Sequence, residues 1–422
     1  MTPKIFTTLK TYSPSLLAAD AIGGITVAMV AMPLSLAIAI ASGADPATGI
    51  ITAIVGGFLI SALGGSRVQI GGPTGAFIVV VYDVIAQHGY DGLVLATFMA
   101  GVILIISGVL RAGRLIAYVP ESVVNGFTIG IAIIIASSQL NDFLGLNVEH
   151  VPAAFFEKLP VLWEARDSFS AESLGLGVAT VILIVLLRRL APKAPGLIVA
   201  VAATSAAVAV WGLPIDTIAS RFGALPNHLP APTLPDFTSY DRVMELLPSA
   251  FVIAFLAGVE SLLSAMVADK MSGGKHRPNA EVLAQGAANI GSALFGGLPA
   301  TGAIARTATN VRAGGKTPVA GIIHALTILV VMLVAAPLAG YLAMPALAGL
   351  LMITAWNMSE PHKWRSYMFE GRLSDRALLV VTLVLTVATD LTIAIGVGVS
   401  LGLAMRLHRR EVPPAEWHTP QR

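Results

Sequence analysis

Residues 71–80 read GGPTGAFIVV, and residues 298–307, half the chain away, read LPATGAIART. Both place Thr-Gly-Ala after a Gly/Pro cluster, and both then enter an apolar run too short to cross a bilayer alone. Proline is favoured at the first helical position, where its missing N–H would be unpaired anyway. The pattern predicts an extended stretch ending near Gly72, a helix starting at Pro73, and a second helix starting near Ala300 or Thr301. Each start leaves backbone N–H groups without an intrahelical partner. In hydrocarbon such groups must be buried in protein or face a wet cavity.

The chain around these stretches is a membrane sequence. Of 422 residues, 55% are hydrophobic and 12% charged, against about 25% charged in soluble domains; the mean hydropathy is +0.80. Apolar runs bounded by charge, Pro or Gly fall at 17–41, 47–64, 92–110, 118–137, 173–190, 196–211, 247–269, 281–296, 318–336, 343–357, 375–389 and 391–407. With the broken segments 74–87 and 301–312 they predict an all-α polytopic protein of fourteen spans. The connections 138–172 and 212–246, rich in Pro and acidic residues, read as ordered caps or short surface helices. No signal-peptide pattern precedes the first run.

Charge placement tests the count. With a cytoplasmic N-terminus and fourteen spans, of 26 Lys and Arg only Lys158, Arg166, Arg221 and Arg242 fall outside. All others except Arg306 fall inside, as the positive-inside rule requires. The count works only if both broken segments cross. The chain is expected in a membrane with both termini cytoplasmic. The net charge of +2 is local to loops and gives no support to nucleic-acid binding. The absence of cysteine excludes disulfides, thiol catalysis and cysteine-ligated metal.

Each half holds seven spans, the first through about 211 and the second from about 247, and the repeated motif lies third in each. An odd-numbered repeat inverts the second copy and brings the two helix starts face to face, as in transporters with discontinuous helices. A helix start carries about half a positive charge and offers N–H groups to an anion. Gly75 and Gly302 would let a ligand approach the backbone, and the hydroxyls of Thr74 and Thr301 would cap the helices or touch the ligand. Arg306, about one turn into the second helix, adds a full charge whose burial costs about 2.5–3.5 kcal/mol on insertion scales.

Glu260 stands in the middle of the eighth span, LLPSAFVIAFLAGVESLLSAMVADK. An isolated carboxylate in apolar surroundings tends to neutralise, whereas positive helix ends and Arg306 favour its charge. A group balanced between these effects suits proton carriage. Ser261 and Ser264 add oxygens one and four residues on, Ser264 on the same helical face. Protonation of Glu260 favours an anion in the cavity and the anion favours the proton, which gives proton–anion symport. A sodium ion held by Glu260, Ser264 and backbone oxygens is the competing reading.

Four motifs now carry a family resemblance: AADAIGGITVAMVAMPLSLAIAIASG at 18–43, IGGPTGAF, GVESLLSAMVADKMSG, and GGLPATGAIARTATNVRAGGKTPVAG at 296–321. Together they resemble the sulfate-permease (SulP) anion transporters over nearly the whole chain. AWNMSEPHKW at 355–364 is similar to the bacterial branch that includes a C4-dicarboxylate transporter. The resemblance implies two inverted seven-span repeats. It implies a core domain from 1–115 and 247–340 (spans 1–4 and 8–11) moving against a gate domain from 116–246 and 341–410 (spans 5–7 and 12–14). It places the anion between Thr74, Gly75, Ala76 and Phe77 on one side and Thr301, Gly302, Ala303 and Arg306 on the other. It puts the coupling carboxylate at Glu260 and implies a homodimer. Members with Asp at that position include sodium-coupled bicarbonate transporters; Glu leans toward protons. Many members have Gln after the first-span Pro, where this chain has Leu34 after Pro33, which weakens a strict sulfate assignment. The family usually ends in a cytoplasmic STAS domain; here 411–422 is a short polar tail, and that domain is expected to be absent.

Other classes fit less well. The chain has no His-Glu-x-x-His metal motif, and Ser42 in IASGAD has no convincing His partner, so an intramembrane enzyme is not expected. NVRAGGKTPVAG lacks the phosphate-loop pattern, and no cofactor is expected. A channel-like conductor and an electroneutral exchanger remain the functional rivals. Fumarate, succinate, bicarbonate and sulfate are all candidate anions.

Overall fold

The computed structural model describes residues 2–111, 119–148, 151–152, 154–191, 195–361, 364, 372–389 and 391–408. Arg114, Lys193, Lys363, Arg365, Arg409, Arg410 and Arg422, part of the charge asymmetry above, and the tail 411–422 lie outside the described residues.

After a short α1 (Lys4–Thr8), the chain enters α2 (Pro14–Ala41) and α3 (Pro46–Leu63). Both open as the sequence dictates, with Pro at the first turn and a capping side chain: Ser13 accepts from the Leu16 N–H and Asp45 from the Ala47 N–H. A 3₁₀ turn, Gly75–Phe77, leads into α4 (Ile78–Val109). That long helix is two segments joined at Gly89, whose φ of 71° and ψ of 178° break the helical path; a residue with a side chain would be strained there. The third and fourth expected spans therefore meet at Gly89.

Next come α5 (Glu121–Ser138), the short α6 (Leu140–Leu144) and α7 (Phe155–Glu164), then α8 (Ala171–Leu190), α9 (Gly196–Trp211) and α10 (Ile218–Phe222). The second half holds α11 (Tyr240–Ser272), α12 (Pro278–Leu294), α13 (Ile304–Arg312), α14 (Pro318–Ala339), α15 (Met344–Met358), α16 (Leu373–Ala388) and α17 (Leu391–His408). Each of the fourteen expected spans thus has its helical segment, and α6, α7 and α10 are the short surface helices of the two long connections. Among the described residues, seven helical stretches reach the length and hydropathy for crossing a bilayer alone. Most of the other segments are shorter, and α13 has only nine residues.

The packing is between distant parts of the chain. Helix α4 lies against α11 and α12, α3 against α12 and α14, and α2 against α14. Separately, α5 packs on α16, and α8 on α9 and α15. Small residues let backbones close in: a Cβ placed on Gly101 would stand 2.8 Å from the Gly286 carbonyl, and one on Gly286 2.8 Å from that of Gly101. The one sheet among the described residues is a two-residue antiparallel pair, β1 (Gly71–Gly72) with β2 (Thr301–Gly302), in register Gly71–Gly302 and Gly72–Thr301. The repeated stretches therefore bond directly to each other while running in opposite directions, as inverted repeats require.

Candidate anion site

The site is built outward from that strand pair. The Ala303 N–H donates to the Ile70 carbonyl at 2.8 Å, the Ile70 N–H to Thr307 Oγ1 at 3.1 Å, and Asn310 Nδ2 to the Val68 carbonyl at 2.8 Å. The lead-in 68–72 is thereby sewn along α13. The extended pairing delays both helices: the first turn starts at Gly75, not Pro73, and α13 starts at Ile304, not at Ala300 or Thr301. Thr74 and Ala303 are the residues that precede the two starts. Helix geometry leaves the N–H groups of Gly75 and Ala76, and of Ile304, Ala305 and Arg306, without intrahelical acceptors. All five residues line one cavity of about 1100 Å³.

The cavity also takes in Thr74, Glu260, Ala303 and, from α2, Leu34. Thr74 does not cap its helix; its Oγ1 donates to Glu260 Oε2 at 2.6 Å. Glu260, half-buried at mid-helix in α11, is thereby tied to the start of the third segment. Arg306 is 1% exposed. Its Nη2 donates to Ser35 Oγ at 3.0 Å, while Nε and Nη1 have no hydrogen-bond partner. Among the described residues it has no carboxylate within ion-pair distance. Gly72 makes room for it: a Cβ there would lie 2.2 Å from Nη1, and Gly72 itself has φ of 150°. From this polar end the cavity runs to the exposed Arg188, Lys270 and Arg312, all at the C-terminal ends of their helices.

Several expected site residues are turned away from the cavity. Phe77, 2% exposed, packs into the apolar core. The Thr301 hydroxyl donates to the Ala257 carbonyl at 2.9 Å, so it neither caps α13 nor faces a ligand. Gly302 offers no open approach, because a Cβ there would lie 1.5 Å from Gln69 Nε2. Ser261 donates to Glu281 Oε1 at 2.9 Å and accepts from Gln69 Nε2 at 3.0 Å; Ser264 pairs with Thr307 Oγ1 at 3.0 Å. Both serines are fully buried behind the site.

Three residues that shape the site escape the sequence reading: Ser35, Gln69 and Glu281. Glu281 is fully buried, and its carboxylate accepts from the Gly65 and Ser66 N–H groups at 2.8 and 3.1 Å, from Ser261, and from Gln285 Nε2 at 2.8 Å. A carboxylate at the start of an apolar run was the available signal, but it reads equally as a span boundary.

Residues 17–373 match the model of the sulfate permease family. The chain belongs to that family. Within it, YvdB of Bacillus subtilis (strain 168), provisionally named a sulfate transporter, is 43% identical over 376 residues, 89% of this chain and 70% of that one. The bicarbonate transporter BicA of Picosynechococcus sp. is 31% identical over 388 residues, 89% of this chain and 67% of that one. The chain thus spans about two-thirds of the length of these relatives. The solved transmembrane domain of a cyanobacterium BicA superposes with a TM-score of 0.81 at 31% identity, covering 91% of this chain and 98% of that one. The murine Solute Carrier 26 family member A9 anion transporter in the inward-facing state gives 0.87 at 17% identity over 97% of this chain and 71% of that one, a likeness of fold. This sulfate permease family member is a membrane-spanning anion transporter, and its relatives are named as transporters, not enzymes.

Proposed function

We propose that the protein is a proton-coupled symporter of a carboxylate anion, with a C4-dicarboxylate such as fumarate or succinate as the favoured cargo. The observation that carries this reading is the Thr74–Glu260 hydrogen bond in the cavity that also holds an unpaired Arg306. The helix starts and Arg306 supply positive charge for the anion. Glu260 supplies a proton site bonded to one of those starts, so that occupancy of each site bears on the other.

A bound sodium ion would need several oxygen ligands besides Glu260. The hydroxyls of Ser261 and Ser264 are committed to Glu281, Gln69 and Thr307, which favours the proton. Sodium-coupled transport of bicarbonate or sulfate is the second reading, and what favours it is that relatives covering most of this chain are named bicarbonate transporters. An uncoupled exchanger or channel would leave Glu260 without a role.

In this reading the anion lies among Thr74, Gly75, Ala76, Ala303 and Arg306. The separate packing of α2–α4 with α11–α14, and of α5, α8 and α9 with α15–α17, supports a core moving against a gate. The positive-inside charge pattern supports a reading in which both termini, and the mouth near Lys270 and Arg312, lie on the cytoplasmic side of a bacterial plasma membrane. The cavity then faces inward. The working unit is a homodimer.

The test is purified protein in liposomes under an inward proton gradient, with labelled fumarate, bicarbonate and sulfate in parallel, with and without sodium. Fumarate uptake driven by protons alone is the expected result. Uptake of bicarbonate alone, and only with sodium, overturns both the cargo and the coupling ion.

A further inference from the structure

We infer that Ser35 is the positioning residue for Arg306 and gives the site its preference for oxyanions over halides; this rests on the anion-site reading above. Ser35 is fully buried on α2, two residues after Pro33, and does not line the cavity. Its hydroxyl hydrogen is used on the Ala31 carbonyl at 2.7 Å, so its oxygen is held with a lone pair facing Arg306 Nη2 at 3.0 Å. On its far side the guanidinium meets Gly72, where no side chain fits beside Nη1. The group is therefore gripped by two elements that no ligand touches.

A guanidinium offers two-donor forks that share Nη2, and each fork fits two oxygens of one carboxylate or sulfate. By taking one of the two Nη2 hydrogens, Ser35 engages one fork and fixes the plane of the other; Nε and Nη1 are both buried and hold no hydrogen-bond partner. An oxyanion gains from that alignment. A halide, which has no paired oxygens, responds to the charge of Arg306 whatever its orientation. Loss of Ser35 should cost oxyanion affinity and spare halide affinity, whereas a merely structural role would lower both together. The position matters because the residue after Pro33 is the apolar Leu34; the polar contact from α2 reaches the site through the arginine instead.

The experiment is a thermal-shift titration of detergent-purified protein with the sodium salts of fumarate, sulfate, bicarbonate and chloride. The native protein, Ser35→Ala, Ser35→Thr, Arg306→Lys and the Ser35→Ala/Arg306→Lys pair are compared. The expected result is a rise of about tenfold in the half-saturating oxyanion concentration for Ser35→Ala, less than about twofold for chloride, and native behaviour for Ser35→Thr. In the Arg306→Lys background, where no fork exists, Ser35→Ala should add nothing. If Ser35→Ala does not fold, Ser35→Cys, whose sulfur accepts weakly, serves the same comparison. Equal losses for oxyanions and chloride, or additive effects with Arg306→Lys, overturn the role of Ser35 and leave the site standing. Native oxyanion binding in Arg306→Lys overturns the site itself.

Discussion

Thr74 Oγ1 donates to Glu260 Oε2 at 2.6 Å, which ties the start of the third segment to the middle of α11 across 186 positions of chain. Glu260→Gln keeps an oxygen that can accept from Thr74 but cannot carry a proton at neutral pH. It is expected to abolish uptake driven by a proton gradient while anion counterflow between equal proton concentrations persists. Thr74→Ala leaves the carboxylate and removes its donor; a hydrogen bond to a charged group is worth about 1.5–3 kcal/mol, so uptake should fall at least about tenfold. Undiminished proton-driven uptake in Glu260→Gln would falsify the coupling role.

Arg306 has two donor nitrogens without hydrogen-bond partners and, among the described residues, no carboxylate within ion-pair distance. A buried charge without a carboxylate partner is costly, so Arg306 is a burden on the anion-free fold. Arg306→Ala should therefore abolish saturable anion uptake, yet be tolerated in folding or even stabilise the anion-free protein. Unfolding temperature and uptake, measured on one preparation, give the answer; a large loss of stability with normal uptake would make the arginine structural.

Gly302 and Gly175 form a matched pair for a packing test. A Cβ on Gly302 would fall 1.5 Å from Gln69 Nε2 and 2.6 Å from its Cδ, whereas one on Gly175 would meet nothing within 4 Å. Gly302→Ala must push Gln69 off Ser261 and disturb the bonds around Glu281; a loss of about 1–3 kcal/mol is expected. Gly175→Ala, on an exposed stretch of α8, should be neutral or slightly stabilising. Unfolding of the two variants in the same detergent checks both.

Lys158 predicts a pH effect outside the membrane segments. It is 1% exposed on α7, hydrogen-bonded to Ser138 at the end of α5, and burial pushes its pKa down to about 8. Below pH 8 the ammonium is charged in folded and unfolded chains, and its full burial cost is present. Between pH 8 and the ordinary lysine value near 10.4, the unfolded chain binds more protons, so stability rises with pH. Lys158→Met should be more stable than the native protein at pH 7, and the difference should shrink toward pH 10. Melting curves at several pH values follow it; a constant gap would mean that Lys158 does not titrate in this window.

The sequence made much of the fold legible because the signals are local. Pro14, Pro46, Pro278 and Pro318 open helices as their positions dictate, and hydropathy with charge bounds the spans. Arg306 and Glu260 stood out because charge is rare in such runs, and both line the cavity. What could not be read depends on pairing between distant residues. The β1–β2 ladder moved both helix starts downstream, and it needs Gly71 and Gly302 in register across the two halves. The same holds for hydroxyls. Ser261, Ser264 and Thr301 stand at suitable spacing, but which way each turns is decided by Glu281, Thr307 and the Ala257 carbonyl. Ser35 looks like one more small residue in an apolar helix until Arg306 arrives from 271 positions later.

The strand pair also sets an order of assembly. Gly71 and Gly72 leave the ribosome long before Thr301 and Gly302, and until those arrive the first lead-in has no ladder partner. Unpaired backbone is poorly tolerated in hydrocarbon, so the first half must wait in a provisional arrangement, shielded by water, lipid headgroups or insertion machinery. For the site proposed above, anion-binding capacity is then a late event of biogenesis, acquired when α13 docks rather than span by span. Two halves made as separate polypeptides would recover that capacity only by finding each other in the bilayer.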